Sequence, residues 1–277
     1  MLGALIVVFR EVIEAGLIVG IALAVTRGLA GSRAFIAGGV AAGVIGALLV
    51  AAFAEQLSAA LAGRGQEAFN ASVLALAVVM LAWHNIWMAR HGRELAQQLS
   101  DVGRAVASGD KSYVALGVVV AIAVLREGAE VVLFLYGILV SGENVANLAI
   151  GGVAGLALGA IVSAATFYGL VNIPPRKLFG VTSALVTLLA AGLASQCAAF
   201  LQQAGFAASL SQTLWDTSWI LPDNGVVGRV LRTLVGYTDQ PSLLQALVYV
   251  ATIAIIVVLT RLAAPRRRPA APVGAAA

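Results

Sequence analysis

The chain has 277 residues, 61% of them hydrophobic and only 11% charged, with a mean hydropathy of +0.97 and a net charge of +4. Soluble domains carry about 25% charged residues, so this composition excludes one and describes an all-α polytopic membrane protein. The single cysteine, Cys197, excludes an internal disulfide, a cysteine zinc cage and a Cys-x-x-Cys redox pair.

Apolar runs of about 20 residues, enough to cross roughly 30 Å as helix, fall near 2–26, 34–54, 68–89, 113–140, 147–171, 178–202 and 243–262. They predict seven transmembrane helices. The first run lacks a basic leader and has charges in its middle, so it reads as a retained helix rather than a signal peptide. Asn172-Ile173-Pro174-Pro175 ends the fifth span. The long connection at 203–242 has room for a short interfacial or re-entrant helix around Leu214 to Leu221.

Basic residues follow the odd-numbered spans: Arg27 and Arg33, then Arg90, Arg93, Arg104 and Lys111, then Arg176 and Lys177, then Arg266, Arg267 and Arg268. The positive-inside rule makes those ends cytoplasmic, which predicts an outside N-terminus and an inside C-terminus. Residues 265–277 read as a disordered cytoplasmic tail whose basic start meets anionic lipid.

Two of the spans carry charge. Arg10, Glu11 and Glu14 lie in the first, and Arg126, Glu127 and Glu130 in the fourth, 116 residues further on. The same offset carries Leu17, Gly39, Ala41, Gly43 and Ile45 onto Leu133, Gly155, Ala157, Gly159 and Ile161. Such a match predicts two repeats of three helices, residues 1–112 with the inner loop and 113–202. An odd number of spans inverts the second repeat, the plan of many secondary transporters with a site near the midplane. The outer loop 203–242, a seventh helix at 243–264 and the tail lie outside the repeat. Glycines spaced by four at Gly39-x-x-x-Gly43 and Gly151-x-x-x-Gly155-x-x-x-Gly159 predict close helix packing.

An ionised group at mid-bilayer costs several kcal/mol, about 3 on insertion scales, unless it is paired or faces a polar cavity. Positions i and i+3 share a helix face, so Glu11 with Glu14, and Glu127 with Glu130, turn toward one point. Arg10 reaches Glu14 and Arg126 reaches Glu130 at i,i+4. Four carboxylates against two guanidiniums leave a net charge of −2, which calls for a cation. A guanidinium has no lone pair for a metal, so the arginines support and the glutamates bind. Oxygen ligands suit ferric or ferrous iron, manganese or magnesium, and composition does not choose among them. Two ion pairs holding the helices together would leave two carboxylates unexplained.

The paired motifs Arg10-Glu11-Val12-Ile13-Glu14 and Arg126-Glu127-Gly128-Ala129-Glu130 resemble those of the iron permease family, which includes fungal high-affinity iron permeases and bacterial EfeU-type permeases. The likeness extends to Gly65-Gln66-Glu67-Ala68-Phe69, Trp83-His84-Asn85-Ile86-Trp87-Met88 and Leu214-Trp215-Asp216-Thr217-Ser218-Trp219. The resemblance implies iron ions as transported substrate, Glu11, Glu14, Glu127 and Glu130 as metal ligands, and a cytoplasmic (inner) membrane location. It also implies a periplasmic or extracellular iron donor or oxidase as partner. No organic cofactor, nucleic acid or enzymatic activity is expected. The chain departs from the family at Asn70, where an acidic residue is frequent, and at Val12-Ile13, where Gly-Leu is usual.

Uptake of lead or manganese would use the same carboxylates. An intramembrane carboxylate-metal enzyme is disfavoured, since such sites recruit histidine and no His-Glu-x-x-His or Glu-x-x-His occurs at the core. No phosphate-binding loop is present for ATP. His84 and His91, seven apart, do not make an i,i+4 metal pair, and His84 reads as a hydrogen-bonded residue of an aromatic belt. Asp216, Asp223 and Asp239 read as loop charges, and Gln196, Gln202 and Gln203 as polar groups at the end of the sixth span.

Overall fold

A computed structural model describes residues 1–61, 66–169, 175–206, 210–223 and 225–263. Its helices are α1 (Leu2–Val25), α2 (Ser32–Leu61), α3 (Gln66–Ala107), α4 (Tyr113–Val140), α5 (Val145–Phe167), α6 (Pro175–Gln203), α7 (Val226–Val235) and α8 (Leu243–Ala263). The expected tail at 265–277 and the residues Asn172 to Pro174 lie outside the described segments.

Among the described residues, five helical segments are long and apolar enough to cross a membrane: Ser32–Phe53, Phe69–Met88, Val145–Phe167, Gly180–Gln203 and Leu243–Ala263. Helices α1 and α4 have 24 and 28 residues, about 36 and 42 Å, and carry three or more charges in any stretch of spanning length. The chain is a multi-pass, all-helical membrane protein.

Helices α1, α3, α4, α6 and α8 share one core, with Val7, Leu74, Leu81, Phe134, Val186 and Ile256 buried together. Helices α2 and α5 flank it and expose Ile45, Leu48, Leu49 and Phe53, and Ile150, Val153, Leu156 and Ile161. Apolar faces of this extent are what lipid covers.

Glycines set how α2 and α5 dock. A methyl group at Gly43 would lie 2.7 Å from Val124 Cβ and 2.8 Å from the Ala121 carbonyl of α4; one at Gly155 would lie 3.0 Å from Val8 Cβ and from the Phe9 amide of α1. Gly39 meets Gly117 and Val120 as Gly151 meets Met1 and Ala4, and Ala47 meets Gly128 as Gly159 meets Val12. On α1 and α4 the matched residues are 116 apart, whereas Gly43 and Gly155 are 112 apart. Contact for contact, α2 is therefore one helical turn out of step with the gapless alignment of the sequence. The connection after α4 (141–144) is shorter than that after α1 (26–31), and the helix ends absorb the rest. Gly155→Leu should wedge α5 off α1 and lower the yield of monodisperse protein after detergent extraction. Gly152→Leu, with open space at that position, should not. Size-exclusion chromatography of the two variants checks this.

Two expectations change. Helix α3 does not stop near residue 89 but runs to Ala107, because Ala, Arg, Glu, Gln and Leu dominate 89–107 and no proline interrupts them. Its C-terminal end packs back, with Gly103 against Val25 and Val106 buried beside Ala22 and Leu116. Leu214 to Leu221 is not a helix. A bridge from Thr213 to Ser242 and bonds from the Ser218 amide and hydroxyl to Asp216 Oδ1 hold it in turns. Those bonds also hold the exposed Asp216 carboxyl below its ordinary pKa.

The helix of this connection is α7. It ends at Gly236 in the left-handed region (φ 68°), whose amide bonds the Arg232 carbonyl. Gly236 is seated on Gly192, with no room for a side chain on either residue. Gly192 is 11 residues from the end of α6, so α7 reaches about 16 Å down that helix. A cavity of about 120 Å³ remains between them, lined by Ile138, Ser141, Glu143, Gln196 and Arg232. Gln202 instead accepts from Ser242 and donates to Leu210. Asp223 and Asp239 accept each other's backbone amides at 3.1 Å.

Candidate metal centre

The buried stripe of α1 includes Ala4, Val7, Glu11, Glu14, Ile18 and Ala22, spaced by three and four. That of α4 runs Leu116, Val120, Val124, Glu127, Glu130, Phe134 and Ile138. In both helices the glutamates occupy positions that the rest of the stripe gives to packed apolar side chains. The amphipathic period therefore drives them into the core. Glu11 and Glu14 are 1% and 3% exposed, Glu127 and Glu130 3% and 9%.

Arg10 Nε donates to Glu14 Oε1 at 2.9 Å, and Arg126 Nε to Glu130 Oε1 at 3.1 Å. The two pairs repeat in chemistry and differ in setting. Arg10 is 3% exposed, whereas the Arg126 side chain is 33% exposed and lies over the Trp87 ring, 4.0 Å from its centre. Arg10 is thus enclosed by the core, whereas Arg126 reaches the molecular surface.

His84 of α3, 2% exposed, stands among these carboxylates. Its Nε2 is 3.3 Å from Glu14 Oε2 and 3.9 Å from Glu11 Oε2, and its Nδ1 faces Glu130 Oε2. This corrects the aromatic-belt reading. The i,i+7 spacing to His91 concerns one helix only, and the partners of His84 come from two others. Its position in an apolar run, the same signal that marks the glutamates, was the available clue.

Glu11, His84, Glu127 and Glu130 each offer one ligand atom, and these atoms lie within 4.8 Å of one another. Glu14 lies beside that group, with one oxygen held by Arg10. Both Glu11 oxygens, one each on Glu14, Glu127 and Glu130, and both His84 nitrogens are buried without a hydrogen bond of proper geometry. Ionised carboxylates only accept, so oxygens packed this closely require protons or a cation between them. Three carboxylates with one imidazole suit a borderline divalent ion such as ferrous iron as well as harder ones.

The Iron permease FTR1 family matches residues 1–264. The chain belongs to that family. It is 28% identical over 253 residues to the ferrous iron permease EfeU of Escherichia coli O6:H1, covering 88% of this chain and 89% of that protein. It is equally similar to the EfeU of Yersinia pestis, over 249 residues, 88% and 87%. A putative inactive ferrous iron permease EfeU of Escherichia coli K12 is also 28% identical, over 213 residues, 74% and 77%. No solved structure matches the chain.

Proposed function

We propose that this chain moves iron ions across the cytoplasmic membrane through a centre made by Glu11, Glu127, Glu130 and His84, with Glu14 as an adjoining carboxylate and Arg10 and Arg126 as charge-balancing supports. The observation that carries the reading is the convergence of unpaired, buried oxygen and nitrogen atoms from α1, α3 and α4. A set of ligands shared by three separate helices suits a transient cargo, because small shifts between helices change its geometry. The family and the named relatives support iron as that cargo.

In this reading α1–α6 and α8 are seven spans, α1–α3 and α4–α6 are inverted repeats, and the N-terminus is outside. The crossed glycine docking of α1 on α5 and of α4 on α2 supports the repeat, and the distribution of arginine and lysine supports the orientation. Inward flow of each positive charge gains about 2.3 kcal/mol per 100 mV of membrane potential. An external iron donor or oxidase on the outer face completes the pathway.

Manganese or lead would use the same ligands, and competition with iron separates these cargos. The sequence argument against an intramembrane enzyme, the absence of His-Glu-x-x-His and Glu-x-x-His, is weakened by a histidine in the core at His84; family membership among permeases favours transport. The test is uptake of radioactive ferrous iron into proteoliposomes. Wild type should accumulate iron when the interior is negative, and His84→Gln should lose about 10-fold or more of that rate. No potential-driven iron entry by wild type would overturn the proposal.

A further inference from the structure

We infer that Asn85 is a positioning residue for the metal centre: it fixes α3 against α6 so that His84 is presented to the carboxylates of α1 and α4. The inference rests on the reading of His84 as a ligand and adds what holds it there.

Adjacent residues on a helix point about 100° apart. His84 turns toward α1 and α4, and Asn85, 4% exposed, turns toward α6. Its amide nitrogen donates to Thr187 Oγ1 at 3.0 Å and to the Ser183 carbonyl at 3.4 Å. The Ser183 hydroxyl donates back to Asn85 Oδ1, and the Thr187 hydroxyl donates to the Ser183 carbonyl at 2.8 Å. Both ends of the amide are satisfied by one turn of α6. Around this point α3 and α6 meet through Leu74, Ala77, Leu81, Val186, Leu189 and Ala190. Apolar side chains of this kind tolerate small slips. A directional amide does not, and a buried polar group in a low-dielectric interior holds its partners in one arrangement. A slip of one residue along α3 would move His84 by about 1.5 Å and rotate it by about 100°, out of reach of Glu14 and Glu130.

The experiment uses the purified full chain loaded with ferrous iron under anaerobic conditions. Iron-edge X-ray absorption reads imidazole ligation through its outer-shell scattering, and a titration gives Kd. The chain has two histidines, so the signal is assignable. Wild type should show one imidazole, and His84→Gln none. Asn85→Leu should lose the imidazole signal while oxygen ligation persists, with Kd raised about 10–100-fold, the usual cost of removing a residue that orients a metal ligand. The double variant Ser183→Ala, Thr187→Val keeps Asn85 and leaves every proposed ligand in place. It should do the same, and it decides the matter if Asn85→Leu does not fold.

If wild type shows no imidazole, or His84→Gln keeps it, the assignment of His84 falls. If His84 behaves as expected but Asn85→Leu or the double variant binds iron with full imidazole scattering and wild-type Kd, the positioning role falls and the centre stands.

Discussion

Glu11→Gln, Glu127→Gln and Glu130→Gln each reduce iron uptake by about 100-fold, while Glu14→Gln reduces it by about 10-fold; these are the expected outcomes in proteoliposomes with matched amounts of protein. The amide keeps the volume of the side chain and removes its charge, so packing is preserved and the loss reports on the cation. The three sensitive glutamates belong, with His84, to the group whose ligand atoms lie within 4.8 Å of one another. Glu14 stands outside that group, although it and Glu130 each give one oxygen to an arginine. Equal loss at all four positions would restore the symmetric four-glutamate site expected from the motifs alone, and unimpaired uptake by Glu127→Gln would remove the centre.

The two arginines, alike in sequence, should behave differently. Arg10→Ala leaves Glu14 buried beside Glu11 without its guanidinium, and breaking a buried pair costs about 3–5 kcal/mol. The expected result is a large drop in folded protein and in thermal stability in detergent. Arg126 is a third exposed, and its partner Glu130, with 12% of its side chain exposed against 3% for Glu14, is the less deeply buried carboxylate, so losing the pair costs less. Arg126→Ala should therefore leave folded, extractable protein that transports slowly. Arg→Lys at either position keeps the charge but loses the planar fork, and should fall between wild type and Ala. Melting curves and uptake rates for the four variants check this, and equal melting temperatures for Arg10→Ala and Arg126→Ala would contradict it.

The helices and the carboxylates were legible because both signals are local. An apolar run of spanning length needs no partner to be recognised, and Arg-Glu-x-x-Glu stands out against it. His84 was missed for the opposite reason. Its partners are 70 or more residues before it or more than 40 after it, and nothing in the spacing along α3 announces them. Helix α7 was displaced for lack of length: Val226–Val235 is ten residues within a mixed stretch, and the aromatic segment before it looked more helical than its Asp216 and Thr217 turn bonds allow. The glycine register shows a third limit. Sequence matches at 116 are real letters, yet the side chains that fill each groove select partners 112 apart on α2 and α5.

The crossed docking of α1 on α5 and of α4 on α2 has a consequence for how the protein is made. Helix α1 leaves the ribosome first, but the groove that receives it is built from Gly151, Gly155 and Gly159, which are synthesised well over a hundred residues later. At ordinary translation speeds that delay is on the order of ten seconds. For most of it, until residues 113–140 are made, Arg10, Glu11 and Glu14 are without α4, the source of Glu127 and Glu130, and α5 follows later still. Biogenesis of this chain thus includes a waiting period for its first helix, during which three charged side chains lack the partners that surround them in the finished fold.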